Sequence, residues 1–356
     1  MIKSYIIKHS TTMRIILFFI VALIFIGIDR LALGLLPILK ISYGRYRIPF
    51  YLFTFLRITF LVFWLTLTSK WLLGRLGIVH QNALWIYAGV NFVLLGLIIY
   101  GFYIEPMRLT VTRIDLQVAG IKEPVRIVQL SDIHVEFTTH RELALPGLVE
   151  SLEPDIIVMT GDFPNESYSN HPKTRQDLQD LISRLHAPLG VYAVNGNVES
   201  VSNLSYLLEG LDVKILDNEI TRFPSLGEDF VIIGLSYSNP IQDEIALQNI
   251  YQELDADDYV ILLYHKPDLA YRASDLGIDL YLAGHTHGGQ VRIPFYGAIS
   301  TNSKYGKTFE MGAYTVGNMK LFVSRGLGFT GGSAPRLRFL APPEVVVIDL
   351  IPLLAE

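Results

Sequence analysis

Five short stretches of this 356-residue chain place metal-binding side chains just after apolar, strand-like runs. They are Asp132-Ile133-His134 after "VRIVQL", Gly161-Asp162 after "IIVMT", Gly196-Asn197 after "VYAVN", His265 after "VILLY", and Gly284-His285-Thr286-His287 after "LYLA". Read singly, each is ordinary. An Asp-x-His or a Gly-Asp is a polar turn, and Asn195-Gly196 after an apolar run permits a two-residue hairpin. Together they collect two carboxylates, one amide and four imidazoles, and no thiolate, since the chain has no cysteine. Oxygen and imidazole donors suit a borderline divalent ion such as Mn²⁺, Fe²⁺ or Zn²⁺ better than a structural zinc. Seven ligands are too many for one ion and suit two ions sharing a bridge.

Such a site needs elements that bring the five stretches together. From about residue 109 short β-rich runs alternate with helical or polar segments. "LALPGLVESLEPD" (143–155) predicts a helix closed by Pro154, and "QDLQDLISRLHAPLG" (176–190) predicts an amphipathic one. "VIIGLSY", "KLFVSRGLG" and "EVVVIDL" add further strands. Alternation of this kind predicts an α/β layered domain. In open α/β sheets, sites gather where strand C-termini give way to loops. Glycines at those ends let the backbone approach an ion or a phosphate closely.

The first third of the chain is different. Residues 1–105 hold ten Lys/Arg and two Asp/Glu, a formal +8, whereas the remainder carries −13. Over the whole chain 51% of residues are hydrophobic and mean hydropathy is +0.37. An acidic second part argues against nucleic-acid binding through phosphate contacts. Without cysteine there is no disulfide framework and no thiol nucleophile, and the redox compartment is not legible. Three apolar runs stand out, at residues 15–28, 50–69 (broken by Arg57) and 83–104. The third is long enough to cross about 30 Å of hydrocarbon. The first has the length of a signal-peptide core, but no clear small-x-small cleavage site follows it, so a retained helix is expected. Asp29 and Arg57 could pair within the spans, or Asp29-Arg30 could mark the membrane interface. Flanking Lys/Arg divide five against five, which leaves orientation open.

On the five stretches the chain resembles the calcineurin-like metallophosphoesterases, whose signature is D-x-H…G-D…G-N-H-(D/E)…H…G-H-x-H. The blocks occur in that order across about residues 125–350, and "GHTHGGQ", "VSRGLG" and "PPEVVVIDL" resemble the membrane-anchored bacterial branch. The resemblance implies an α/β fold, a four-layer β-sandwich flanked by helices. Here that domain (106–356) would follow an all-α transmembrane region of about three helices (1–105). It implies that Asp132, His134, Asp162 and His287 hold one divalent ion, and that Asp162, Asn197, His265 and His285 hold the other. Asp162 bridges the two and, with Asn197 and His265, stands at the catalytic centre. Hydroxide held between the ions would attack a phosphodiester or pyrophosphate bond. The implied partners are the lipid bilayer of a bacterial plasma membrane, spanned more than once, and a phosphate-containing small-molecule or lipid substrate. No nucleic acid or protein partner is implied.

The chain departs from the signature at Val198, where most of the family has a histidine that protonates the leaving group. Three readings stand. The substrate has a leaving group of low pKa, such as a pyrophosphate or aryl ester. Another residue, His140, His171 or Glu199, supplies the proton. Or the domain is a weakly active metal-binding receptor or scaffold. UDP-diacylglucosamine pyrophosphatases of lipid A synthesis belong to the same family, and some also lack this histidine. Late in the chain, Arg325 and Arg336 (with Arg338) flank Gly-rich turns, where a guanidinium could bind a substrate phosphate bidentately.

Overall fold

The computed structural model describes residues 96–353, apart from 120, 225, 227–229 and 331–335, and a few positions before residue 96. The chain divides into two compact units, Met1–Tyr100 and Gly101–Glu356. Of the first apolar run only residue 20 is among the described residues, of the second none, and of the third residues 89, 92–94 and 96–104. Among the described residues no helix is long and apolar enough to cross a membrane.

Two six-stranded sheets form the second unit. One contains β1 (Thr110–Val118), β2 (Val125–Leu130), β3 (Ile156–Thr160), β4 (Val191–Val194), β5 (Lys214–Ile215) and β14 (Glu344–Pro352), in the order β1-β14-β2-β3-β4-β5. The other contains β6 (Glu219–Arg222), β7 (Phe230–Gly234), β8 (Tyr259–Leu263), β9 (Leu280–Ala283), β12 (Gly312–Val316) and β13 (Met319–Val323), in the order β12-β13-β9-β8-β7-β6. A small hairpin, β10 (Arg292–Ile293) and β11 (Gly297–Ala298), stands apart. The central strands of both sheets, β2-β3-β4 and β7-β8-β9, run parallel. Their C-terminal ends therefore lie along one edge of each sheet.

The central strands are apolar on both faces, as parallel strands covered on both sides must be. Ile127, Ile156, Val158 and Val194 of the first sheet pack against Phe230, Ile232, Ile261 and Leu282 of the second. The outer face of the first sheet carries Val128, Ile157 and Met159. It is covered by helices α1 (His140–Glu150), α2 (Pro172–Ile182) and α3 (Val201–Leu207) through Leu145, Leu178 and Leu204. The outer face of the second, with Ile233, Val260 and Leu262, is covered by α4 (Pro240–Tyr251) and α5 (Ala270–Leu276) through Leu247, Ile250 and Ala273. The result is the helix/sheet/sheet/helix layering anticipated above.

Two helix boundaries differ from the periodicity reading for a local reason. α1 starts at His140, ahead of the expected 143, because Thr139 and Glu142 form a reciprocal capping box. α2 spans 172–182 rather than 176–190, since Pro172 occupies its first turn and His171 caps it. Asn195-Gly196 is no hairpin, because β4 pairs in parallel with both neighbours.

Candidate metal centre

Each predicted ligand sits two to four residues beyond a parallel strand. Asp132 and His134 follow β2, Asp162 follows β3, Asn197 follows β4, His265 follows β8, and His285 and His287 follow β9. Loop-to-loop hydrogen bonds lock the ends together: Asp132 N–H donates to Gly161 O (2.9 Å), His134 N–H to Asp162 O (3.0 Å) and Gly284 N–H to His265 O (2.9 Å). Between the sheets the buried Gln129 amide donates to Thr160 Oγ1 (3.1 Å) and to Ala283 O (3.0 Å), joining β3 to β9 next to the site.

So tight a convergence leaves no room for side chains at two glycines. A Cβ at Gly196 would lie 2.1 Å from Asp162 Oδ1, and one at Gly284 would lie 2.3 Å from Asp132 Oδ2. The backbone is also strained where the ligands are. Five of the seven, Asp132, His134, Asp162, His285 and His287, have φ between 46° and 68°. Left-handed backbone is uncommon for non-glycine residues, costs on the order of 1–3 kcal/mol each, and clusters at functional sites.

The side chains fall into two groups. Asp132, His134 and His287 place their donor atoms within 4.8 Å of one another, and so do Asp162, His265 and His285. Asn197 joins the second, its Oδ1 3.1 Å from His265 Nε2. Asp162 faces both, with Oδ2 3.4 Å from His134 Nε2 and 3.3 Å from His265 Nε2. In each imidazole the nitrogen facing away from the cluster is engaged. His134 Nδ1 meets Pro164 O (3.3 Å), His265 Nδ1 meets Thr160 O (2.8 Å), and His285 Nε2 meets Asn302 O (3.2 Å). His287 Nδ1 lies 3.3 Å from the buried Arg338 guanidinium, which also donates to the carbonyls of Gly326, Gly328 and Ala341. The carbonyl contacts of His134, His265 and His285 fix ring orientation and turn the other nitrogen to the ion, whereas the guanidinium beside His287 can only donate and holds that ring in place.

The electrostatics agree. Burial opposes ionisation of Asp132 and Asp162, but nearby imidazoles, His287 and His265 respectively, more than offset it. Both carboxyls lie below their ordinary range, Asp162 at about 2. Burial pushes His134 down to about 4 and His285 to about 3, so both present neutral rings. Burial pulls His265 down too, yet Asp162 outweighs it and raises the ring to about 9. A cation binding there would displace that proton. Ionised carboxylates, neutral imidazoles and an amide oxygen in two adjoining groups fit two divalent ions.

The structure separates the remaining candidates. Arg325 and Arg336, expected at a substrate phosphate, both form ion pairs with glutamates. Arg325 pairs with Glu344 at 2.7 Å, and the fully buried Arg336 donates to Glu136 (2.6 Å) and to Asn165 Oδ1 (3.2 Å). Burying a guanidinium demands acid partners, and those are supplied from other segments of the chain. His140 is exposed at the start of α1, and His171 is occupied as the α2 cap.

Glu199 has a role the sequence reading missed. It is 3% exposed and accepts from the backbone N–H groups of Asp162 (2.9 Å), Phe163 (3.3 Å) and Gly196 (2.7 Å). Burial, then Asp162, pushes its pKa up to about 8. Through these three bonds the Glu199 carboxyl group ties the Asp162 loop to the Asn197 loop. Glu199→Ala leaves three amides without their acceptor. It should weaken Mn²⁺ binding about 10–100-fold, the usual cost of losing an outer support. Glu199→Gln, which keeps one oxygen, should recover part of the loss. Titration calorimetry showing unchanged affinity in Glu199→Ala would remove this role.

Comparison with known proteins now bears on the site. The family model described as calcineurin-like phosphoesterase matches residues 125–289. The metallophosphoesterase YkuE of Bacillus subtilis is 32% identical over 269 residues, covering 70% of this chain and 88% of that protein. A metallophosphoesterase of Aquifex aeolicus is 30% identical over 241 residues, covering 64% of this chain and 85% of its own length. LpxG of Chlamydia trachomatis, a UDP-2,3-diacylglucosamine pyrophosphatase, is 24% identical over 308 residues, covering 70% of this chain and 92% of that protein.

Proposed function

Because the chain belongs to the calcineurin-like metallophosphoesterases and is a metal-dependent phosphoester hydrolase working with two divalent cations, we propose that it cleaves a pyrophosphate or phosphodiester bond whose leaving group departs without help from a protonated histidine. The substrate class we infer joins a nucleotide to a lipid through pyrophosphate, as in UDP-2,3-diacylglucosamine. We further propose that residues 1–105 anchor the chain in a bacterial plasma membrane by more than one span, with 106–356 as the hydrolase domain. The three apolar runs support the anchoring, and the similarity to LpxG supports the substrate class.

Val198 carries the reading. It is half-buried beside the exposed Asn197, and its backbone N–H donates to Asp162 Oδ1 at 2.9 Å. The backbone of this position thus still orients a metal ligand, while the side chain offers no proton. When bound, two cations would activate a water for in-line attack and neutralise charge on the phosphoryl oxygens. Asp132, His134, Asp162 and His287 would hold one and Asp162, Asn197, His265 and His285 the other. The chain's own residues orient these ligands and, at position 198, withhold an acid.

A substrate panel tests this. Purified chain with Mn²⁺ should cleave a nucleotide pyrophosphate diester faster than an alkyl phosphomonoester. The opposite order would refute the leaving-group argument. No turnover of any substrate with both ions bound would return the binding-module alternative.

A further inference from the structure

The loop that follows His287 ends in a feature the chemistry does not use. Between β10 and β11 the chain turns through Ile293-Pro294-Phe295-Tyr296, closed by Tyr296 N–H donating to Ile293 O at 3.1 Å. Proline at the second position of such a turn calls for glycine at the third, where φ is positive. The chain places Phe295 there, at φ 65° and 111% exposed. A bulky residue in left-handed backbone is an outlier, and among the described residues no burial compensates it. Ile293 (48%), Tyr296 (60%) and Ile299 (60%) are exposed beside it. Single exposed apolar residues are normal, whereas a cluster of four on one hairpin marks a contact surface.

The occupant follows from what adjoins the hairpin. Its base is bonded to residue 339: Arg292 N–H donates to Phe339 O, and Phe339 N–H to Gln290 O, both at 2.9 Å. The next residue back, Arg338, donates its N–H to Gly101 O at 2.9 Å. Gly101 begins the last four residues of the third apolar run, in which Tyr103 (45%) and Ile104 (52%) are exposed. One short strap therefore joins the hairpin to the end of the longest uncharged segment in the chain. Lys307 is exposed on the hairpin's flank and stands 3.5 Å over the Tyr296 ring, and Lys304, three residues before it, is exposed too. Aromatic and aliphatic side chains edged by lysines match an anionic bilayer surface. The loop that leaves the hairpin also reaches the metal centre. His285, its half-buried ligand, touches the carbonyl of Asn302 four residues past β11.

We propose that the 293–299 hairpin inserts its apolar tip into the membrane interface and holds the metal centre at headgroup level. A lipid-linked pyrophosphate would then reach the ions without leaving the bilayer. This contact rests on the anchoring proposed above, and the test separates the two.

Because the chain has no cysteine, Phe295→Cys carries one environment-sensitive thiol label, and its full exposure means that no packing is lost. The full chain is reconstituted into phosphatidylglycerol/phosphatidylethanolamine vesicles with or without doxyl-labelled phospholipid. Ile299→Cys serves as a second reporter, and Ile241→Cys, 69% exposed on α4, as the reference. Labels at 295 and 299 should shift to the blue, and doxyl lipid should quench them about twofold or more beyond the label at 241. Labels at 295 and 299 as wet and as unquenched as at 241, in chain that floats with the vesicles, overturn the hairpin contact alone. Chain that fails to float refutes the anchoring and this contact with it. Self-quenching that rises with protein density and ignores doxyl lipid assigns the tip to a second copy, and also overturns the proposal.

Discussion

Asp162→Asn is expected to lower Mn²⁺-dependent turnover of bis(p-nitrophenyl) phosphate by about 10³-fold or more, and bound metal from two ions per chain to one or fewer. The size follows from the position of the side chain. Oδ2 faces imidazoles of both ligand groups, at 3.4 Å from His134 and 3.3 Å from His265, and Oδ1 already accepts the Val198 N–H. An asparagine has one oxygen for these duties. With its carbonyl on Val198, its NH₂ points at the nitrogens that must offer lone pairs to an ion. With its carbonyl toward the imidazoles, it sets NH₂ against a backbone N–H. Either way a negative charge leaves a buried site meant for two dications. Lewis-acid assistance of this kind is worth several kcal/mol of barrier, and about 4 kcal/mol corresponds to 10³ in rate. The fold should survive, since the loop bond from His134 uses the Asp162 carbonyl rather than its carboxylate. Elemental analysis and a thermal melt on the same sample separate metal loss from unfolding. Full stoichiometry with full turnover would dismiss Asp162 as the shared ligand.

The metal centre was legible because its chemistry is written in residue types at strand ends. Asp, Asn and His after apolar runs, with glycines between, can be read from the chain, and parallel strands bring such ends to one edge. Conformation was not legible. Nothing in the letters of Asp132 or His285 announces a left-handed backbone, which arises only when loops from two sheets crowd against each other. The partners of the arginines were not legible either. Near Gly-rich turns Arg325 and Arg336 look like phosphate binders, but Glu344 and Glu136 claim them, the latter from 200 residues away. Glu199 was considered for its proton when its geometry makes it an acceptor for three amides, a role set by contacts between loops 36 and 37 residues apart. Helix starts failed where a cap overrode periodicity, at Thr139 and His171. The layering itself was foreseeable, because strands apolar on both faces require cover on both sides.

Val198→His is the change expected to add activity. Position 198 contributes a backbone N–H to Asp162, which any side chain keeps, and its side chain is half-buried next to Asn197, so an imidazole would stand at the opening without displacing core residues. A positioned general acid contributes about 10²–10⁴-fold to reactions that need one. Turnover of an alkyl phosphodiester should therefore rise about 10²-fold. An aryl ester whose nitrophenolate departs unprotonated should change by less than about threefold, since there is no proton deficit to fill. The gain also carries a pH signature. Only the imidazolium can donate, so the enhancement is present below the ring's pKa, ordinarily about 6.5, and fades above it. Wild-type turnover of the alkyl ester is expected to lack that descending limb. If the variant binds two ions yet cleaves the alkyl ester no faster, the missing acid does not limit this enzyme, and the preference for a self-sufficient leaving group has no basis in Val198. A selective gain would mean that valine suits a bond whose leaving group needs no proton, which is the chemistry of a pyrophosphate.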